Sequence, residues 1–374
     1  MKLVAQNSSR HWLGNEKALG TLVRGLAERG HEVVVSCAAG VARDHFESLG
    51  VRTSSIRPRG VLDVVSALRF AKWLDLERPD AVLLTSWVAS LPGSRAARLA
   101  GVKRVVLRQG IVRPFPRSRA RRLALRRWID AVVVNAPEIR DLWLANGPRH
   151  LVGRINVVLN GIESRLHERD ELRRRLRNEL GLAPGTLLVG GAGHLAPRKG
   201  FDILLRGFAT ANLPDTRLAI LGGGEYGESL KALAGELAIA DRVEWLGRRA
   251  KGADIIAGYD VFVLSSRNEG MANVMLEAMA AAIPVVASDI SGVRTALGPA
   301  DDRGVAGWIT KPDDSQALAN ALSEIVTSLR GDGRKVRARA TEAHWRILNW
   351  FSPERMVDQY EEILFGKMSR ASER

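Results

Sequence analysis

Short runs of apolar, largely β-branched residues recur along this sequence, separated by longer stretches in which apolar residues return every three or four positions. In the first half the short runs are 2–5, 32–37, 51–56, 81–85, 104–108, 130–135 and 155–159, and each predicts a β-strand. They are nearly all apolar rather than alternating, as happens when helices cover both faces of a parallel sheet. Segments 15–29 and 61–78 carry the helical period between them. After the turn signal Asn160-Gly161 the series restarts with a charged helix over about 168–180 that ends at Gly181. Strands are then expected at 186–190, 217–221, 243–246, 260–264 and 284–287, alternating with helices near 199–211, 225–238, 272–282, 313–328 and 334–349. Residues 352–365 read as a last amphipathic helix, with Met356, Val357, Tyr360, Ile363 and Leu364 on one side. This alternation predicts right-handed βαβ units, so the expected class is α/β, with two Rossmann-like doubly wound domains in tandem. Their expected limits are 1–161 and 162–350, followed by a closing segment 351–374.

Composition adds exclusions. With 46% hydrophobic and 26% charged residues the chain is neither disordered nor collagenous. A single cysteine, Cys37, excludes an intramolecular disulfide framework and a Cys-rich zinc site. No stretch approaches the roughly 18 apolar residues of a membrane span, and the apolar block Leu3-Val4-Ala5 is too short for a signal peptide. A cytoplasmic protein is therefore expected. The formal net charge of +15 is unevenly placed: residues 1–160 hold 27 Lys and Arg against 12 Asp and Glu, whereas 161–374 hold 29 of each. A bias common to the whole chain would not respect that boundary, so the first domain is expected to meet an anionic surface.

Ligands of open α/β sheets bind beyond the carboxyl ends of the strands. After 186–190 comes Gly190-Gly191-Ala192-Gly193-His194-Leu195-Ala196-Pro197-Arg198-Lys199-Gly200, where glycines allow close backbone approach and a basic pair opens a helix. Such a place suits an anion, most often phosphate, and fits equally a glycine-rich turn with a solvated Arg-Lys pair. No Ser or Thr follows the lysine, so it is not a Walker loop. The turn Gly222-Gly223-Gly224-Glu225 reads the same two ways.

After 260–264, Glu269 lies in a loop beside Gly270, and Glu277 sits within an apolar helix where a charge needs a partner. Eight helical residues span about 12 Å. Two carboxylates so separated can hold two hydroxyl-bearing parts of one ligand, with the N–H groups of Met271, Ala272 and Asn273 receiving a phosphate between them. That order of groups describes a nucleotide sugar; the plainer alternative is an exposed Glu269 and an ion-paired Glu277.

The string NEGMANVMLEAMAAAIPVVASDISGVR resembles the E-x7-E signature of the retaining, family-four GT-B glycosyltransferases, a group that includes bacterial envelope and lipopolysaccharide sugar transferases. The resemblance covers most of the chain. GHLAPRKGFDILLRGF looks like the diphosphate loop, ILGGGE like a donor-side turn, and VEWLG like the approach to the base pocket, with Gly247 and Arg248 at its end. VVLNGI matches the interdomain linker and FSPERMVDQYEEIL the C-terminal helix. It implies two Rossmann-like domains facing a central cleft, with the last helix crossing back to the first domain. It also implies transfer of a hexose-type sugar from a UDP- or GDP-sugar with retention of configuration. Carried over by position, Glu269 contacts the donor sugar, Glu277 the ribose and Lys199 the diphosphate, with Arg198 beside it. Gly193, His194, Gly270, Met271, Ala272 and Asn273 complete the cradle.

Two departures stand out. The family usually has Arg where this chain has His194, so the second positive charge falls to Arg198 or to a protonated His194. No His lies between His45 and His150 to face the sugar from the first domain. The strand ends there read Thr85-Ser86-Trp87 and Arg108-Gln109-Gly110, which makes Arg108 and Gln109 candidates on the acceptor side. The loop Ser8–Glu16 resembles the acceptor loop and adds His11, Gly14 and Asn15; the isolated His11 reads equally well as structural. There is no D-x-D carboxylate pair to hold a divalent metal, so no metal is expected. The charge of the departing nucleoside diphosphate would then fall to Lys199, Arg198 and helix amides.

Residues 113–128 carry Arg113, Arg117, Arg119, Arg121, Arg122, Arg126 and Arg127 with Phe115, Leu123, Leu125 and Trp128 interleaved. This suits an anionic bilayer, at about 1 kcal/mol per basic residue near the headgroups. The arginines do not gather on one helical face, so a solvated basic helix fits too. The expected partners are a nucleotide sugar, a glycan, lipopolysaccharide or lipid-linked acceptor, and the inner face of the cytoplasmic membrane, the protein being a monomer or weak dimer. Two alternatives are a nucleotide-sugar epimerase of the same architecture, which lacks this E-x7-E setting, and a basic nucleic-acid-binding protein. The latter needs a stacking platform or recognition helix that the sequence does not offer, so no nucleic acid is expected.

Overall fold

Along the first strand, Leu3 and Ala5 point into one apolar cluster and Val4 into another. The same division repeats with Ala81 and Leu83 against Val82 and Leu84, and with Ala131 and Val133 against Val132 and Val134. Both faces of the sheet are thus buried, which is why the strands lack alternation. In the computed structural model, which describes residues 1–60, 63–300 and 303–366, this sheet has seven strands. They are β1 (Lys2–Gln6), β2 (Glu32–Ser36), β3 (Arg52–Ser54), β4 (Ala81–Leu84), β5 (Arg104–Gln109), β6 (Ala131–Val134) and β7 (Ile155–Val157), in the order β3-β2-β1-β4-β5-β6-β7. All pairs are parallel. The order reverses between β1 and β4, so the crevice for a ligand lies at the ends of those two strands.

The second sheet contains β8 (Leu187–Ala192), β9 (Thr216–Leu221), β10 (Val243–Gly247), β11 (Val261–Leu264), β12 (Val285–Ser288) and β13 (Trp308–Thr310). It is parallel throughout, in the order β10-β9-β8-β11-β12-β13, and reverses between β8 and β11. The chain divides into two compact units, Met1–Gly161 with the segment from Ser352 onward, and Ile162–Phe351.

The closing helix Pro353–Phe365 belongs to the first unit. Ser352 accepts a hydrogen bond from the Arg355 N–H at 3.2 Å, and Pro353 occupies the first turn, where its missing N–H costs nothing. Met356, Val357, Tyr360 and Leu364 enter the cluster that also holds Leu19, Leu22, Val23 and Leu26 of the helix Gly14–Glu28. Arg29 reaches Glu361 at 2.5 Å and Asp358 at 2.8 Å across the same contact.

Departures from expectation fall on edges and on disguised helices. The strands expected at 51–56 and 155–159 shorten to Arg52–Ser54 and Ile155–Val157, both at sheet edges with one neighbour. The edge strand Trp308–Thr310 was not predicted, being only three residues long. Nor was the helix Ser90–Leu99, whose Pro92-Gly93 reads as a turn. Pro92 lies in its first turn, where proline is tolerated. A Cβ on Gly93 would stand 2.8 Å from Leu84 Cδ2, so the glycine lets this helix close on the sheet. Positions 61–62, at the head of the helix expected over 61–78, and 367–374 of the closing segment lie outside the described residues.

Candidate active site

At the reversal point of the second unit, the loops after β8 and β11 lie directly on each other. Gly200 is left-handed (φ 63°), and a Cβ there would come within 1.9 Å of the Ser265 carbonyl oxygen. The Arg267 N–H donates to the Arg198 carbonyl at 2.8 Å, and Ser265 Oγ donates to the Lys199 carbonyl at 3.2 Å. Arg267 then clamps the two loops with its side chain. Its Nη atoms donate to both oxygens of Asp202, at 2.9 and 2.7 Å, and its Nε to Asp313 at 2.6 Å. Burial alone would raise the Asp202 pKa, but these hydrogen bonds bring it below the usual carboxylate range.

Held this way, Lys199 Nζ forms an ion pair with Glu269 Oε1, which also accepts from Ser266 Oγ at 3.2 Å. The Lys199 and Glu269 side chains are only 13% and 14% exposed, whereas Arg198, whose Nη1 is 3.9 Å from Glu269 Oε2, is 56% exposed. Lys199 and Glu269 are therefore the organised pair and Arg198 an outer charge. Downstream, Gly270, Met271, Ala272 and Asn273 are buried and lead into the helix Asn273–Ala280, whose N-cap residue Ala272 has no side chain that can cap it. Uncapped amides at a helix start are donors for an anion. Glu277 lies buried one turn along the same helix.

The remaining donor-side candidates meet at the ends of β8, β9 and β10. Gly222, with φ 144°, takes its place because a Cβ would lie 1.8 Å from the Gly193 carbonyl oxygen. Its N–H donates to the Gly247 carbonyl at 2.9 Å. The exposed Arg248 runs beside Gly223. His194 Nδ1 donates to the Gly223 carbonyl at 2.8 Å while Nε2 stands 3.1 Å from Glu225, so the ring ties two turns together. Both ring nitrogens are thus engaged within the protein.

In the first unit a pocket of about 350 Å³ opens at the ends of β1, β4 and β5, lined by Asn7–Ser9, Asn15, Glu16, Thr85–Val88, Arg108–Ile111, Arg113 and Arg121. Of the expected acceptor-side residues, Asn15, Arg108 and Gln109 are there; His11 and Gly14 are not among the lining residues. Arg108 is buried and donates to Asn15 Oδ1 at 2.7 Å and Asn160 Oδ1 at 3.0 Å, so its first task is structural. Glu16 caps its own helix by accepting from the Leu13 N–H at 3.2 Å, and burial pushes its pKa up.

The basic segment is divided by the fold. Arg117, Arg119, Arg122, Arg126 and Arg127 are exposed. Arg113 and Arg121 reach the pocket, and the Arg121 guanidinium lies 5.3 Å above the Trp87 ring. Trp128, expected on the outer face, instead packs against the core cluster, which also buries Phe115 and Leu125. Their apolar surface is needed beneath the helix Arg119–Arg127, leaving Leu123 as the exposed apolar residue of that helix. The sequence reading missed Arg267, Asp202 and Asp313, which are far apart in the chain, and Trp87 as a support for Arg121. Among the described residues, no cluster of three or more His, Cys, Asp or Glu is arranged to hold a metal ion. Among them too, no helix is long and apolar enough to cross a membrane.

Comparison with known proteins follows the same two-unit division. Residues 14–166 match the Glycosyltransferase Family 4 profile, and residues 173–343 match Glycosyl transferases group 1. Over 358 residues the chain is 28% identical to the lipopolysaccharide core biosynthesis glycosyltransferase LpsE of Rhizobium meliloti, covering 95% of this chain and 96% of that one. It is 30% identical over 204 residues to a D-inositol 3-phosphate glycosyltransferase of Mycobacterium marinum, covering 53% of this chain and 42% of that one. The crystal structure of Anabaena HepE in complex with UDP superposes with a TM-score of 0.81 at 22% identity, covering 97% of this chain and 99% of that one. The same protein has also been solved with UDP-glucose.

Proposed function

This chain belongs to the GT-B glycosyltransferases, with a family 4 domain followed by a group 1 domain, and from that premise we propose that it builds a cell-envelope glycan or glycolipid. In this reading the second unit holds a UDP- or GDP-sugar and transfers its sugar, with retention of configuration, to a lipopolysaccharide-type or lipid-linked acceptor held by the first. The observation that carries it is the Lys199–Glu269 pair, seated at a sheet reversal point beside the start of the helix Asn273–Ala280. Lys199 and the amides of Met271–Asn273 neutralise the diphosphate, and Glu269 accepts hydrogen bonds from sugar hydroxyls. In the reaction an acceptor hydroxyl oxygen forms a bond to the anomeric carbon from the face the diphosphate leaves. The anomeric carbon–phosphate oxygen bond breaks, and the leaving phosphate takes the hydroxyl proton. The protein's part is to stabilise the charge that grows on the diphosphate. The full-length match to a lipopolysaccharide core glycosyltransferase supports the acceptor class.

Calorimetric titration of the full chain in EDTA against UDP-, GDP- and ADP-sugars tests the donor. A UDP- or GDP-sugar is expected to bind without added metal. Stabilisation by an oligonucleotide alone, or binding only in the presence of a divalent cation, contradicts the proposal.

The exposed arginines at 117, 119, 122, 126 and 127 support peripheral attachment to an anionic membrane. Co-sedimentation with phosphatidylglycerol vesicles should be strong in low salt and fall steeply as the salt rises through the physiological range. Replacing Arg126 and Arg127 with glutamine should weaken it. Binding that ignores both salt and these substitutions would remove the membrane from this account.

A further inference from the structure

Arg108, Arg113 and Arg121 contribute three positive charges to the wall of the first-unit pocket, and Glu16 is its one carboxyl group. Among the described residues, no Asp or Glu lies within ion-pair distance of any of the three arginines. Glu16 is committed to the Leu13 amide, and burial disfavours its charged form, which makes it a poor counter-ion. Several other arginines of the same unit do have carboxylate partners: Arg52 with Glu32 and Glu77, Arg98 with Asp130, Arg29 with Asp358 and Glu361. The pocket therefore gathers three guanidinium groups in one concave wall with a single, weakly charged carboxyl group among them, which favours an anion there.

The fold also spends contacts on aiming these groups. The ring of Trp87, 5.3 Å from the Arg121 guanidinium, supplies a cation–π support. Trp87 is in turn braced edge-on by the buried Trp143, with ring centroids 5.6 Å apart. Trp143 Nε1 donates to the Arg113 carbonyl at 2.9 Å, so one indole fixes the backbone of one arginine and the platform under the other. The wall also carries hydroxyls and amides, from Asn7, Ser8, Ser9, Thr85, Ser86 and Gln109, beside the apolar Val88 and Ile111. Guanidinium groups beside hydroxyls and amides suit a sugar that carries an anionic substituent.

We propose that this pocket recognises a phosphate or carboxylate on the acceptor sugar, with Arg113 and Arg121 as the specificity-determining residues. Calling the ligand an acceptor rests on the glycosyl-transfer reading above; the anion site itself does not. It divides the basic segment into two tasks, two arginines reading the acidic group on the acceptor sugar and the outer five facing lipid.

Isothermal titration of the full chain with glucose 6-phosphate, glucuronate and glucose tests it, with UDP titrated in parallel. At least one of the two acidic sugars is expected to bind at least tenfold more tightly than glucose. Arg121→Gln, at a half-buried position, and Arg113→Gln, at an exposed one, should each cut that affinity about tenfold while leaving UDP affinity unchanged. Arg126→Gln should keep acidic-sugar affinity while weakening binding to phosphatidylglycerol vesicles. The proposal is overturned if glucose binds as well as the acidic sugars, or if Arg121→Gln and Arg113→Gln bind them like the parent. It is also overturned if UDP affinity falls in step with acidic-sugar affinity, which would give the pocket to the donor diphosphate, or if Arg121 and Arg113 act only on vesicle binding. A chain that binds acidic sugars but no nucleotide sugar would sink the donor assignment and leave this site standing.

Discussion

Lys199→Met is expected to lower kcat by about 10²–10³-fold, the usual cost of removing one preorganised charge from a site where charge develops. The loss should appear in kcat more than in KM, because the negative charge on the diphosphate grows as the glycosidic bond breaks. Glu269→Ala should be comparably inactive, since it removes the proposed sugar contact together with the ion-pair partner of Lys199. Each single change also strands the other member of a mostly buried ion pair, which by itself destabilises a protein. The double variant Lys199→Met, Glu269→Gln separates the two effects. It should regain much of the melting temperature lost by either single variant and none of the turnover. Near-parent turnover in Lys199→Met, measured as release of nucleoside diphosphate from the donor found by titration, would dismiss the assigned centre.

How far this could be read in advance depends on the range of the interactions involved. The central strands were legible because both their faces are buried, which makes runs such as Ala81–Leu84 and Val261–Leu264 wholly apolar. Edge strands have one neighbour and less need of such runs, so Trp308–Thr310 left little trace and the strand expected over 51–56 is shorter, Arg52–Ser54. The helix Ser90–Leu99 was hidden by Pro92 and Gly93, residues that serve its first turn and its close approach to Leu84. Lys199 and Glu269 stood out because each follows a strand beside a glycine, a local signal. Arg267 gave none: its partners Asp202 and Asp313 are 65 and 46 positions away, and only folding shows that they meet. The same holds for Arg113 and Arg121. In the sequence they belong to one basic run of seven, while their separate place depends on Trp87 and Trp143. Arg108 was picked out by its position at a strand end, yet its buried bonds to Asn15 and Asn160 make it a tie first.

Arg267→Met should lower kcat/KM by about 10²-fold although Arg267 makes no contact with the Lys199 or Glu269 side chain in the hydrogen-bond network that surrounds it. Catalysis at this level depends on position, and a shift of about 1 Å in a reacting group can cost that much. Arg267 fixes the position: one guanidinium spans Asp202 on the helix after β8 and Asp313 beyond β13, while its own loop carries Glu269. Hydrogen bonds donated to the Asp202 carboxylate hold the Arg267 pKa above its ordinary value, so the charge is permanent at any working pH. The Asp202 carboxyl is the member that titrates. With its folded pKa lowered, its contribution is complete above about pH 4 and is lost as the pH falls through the lowered value. Parent protein should therefore lose donor affinity in acid together with this clamp, and Arg267→Met should show weakened donor binding already at neutral pH. Asp202→Asn, which keeps the shape and removes the charge, should fall between them. If Arg267→Met bound donor and turned over like the parent, the two loops would be held by their backbone contacts alone, and the clamp would have no part in aiming Lys199 at the diphosphate.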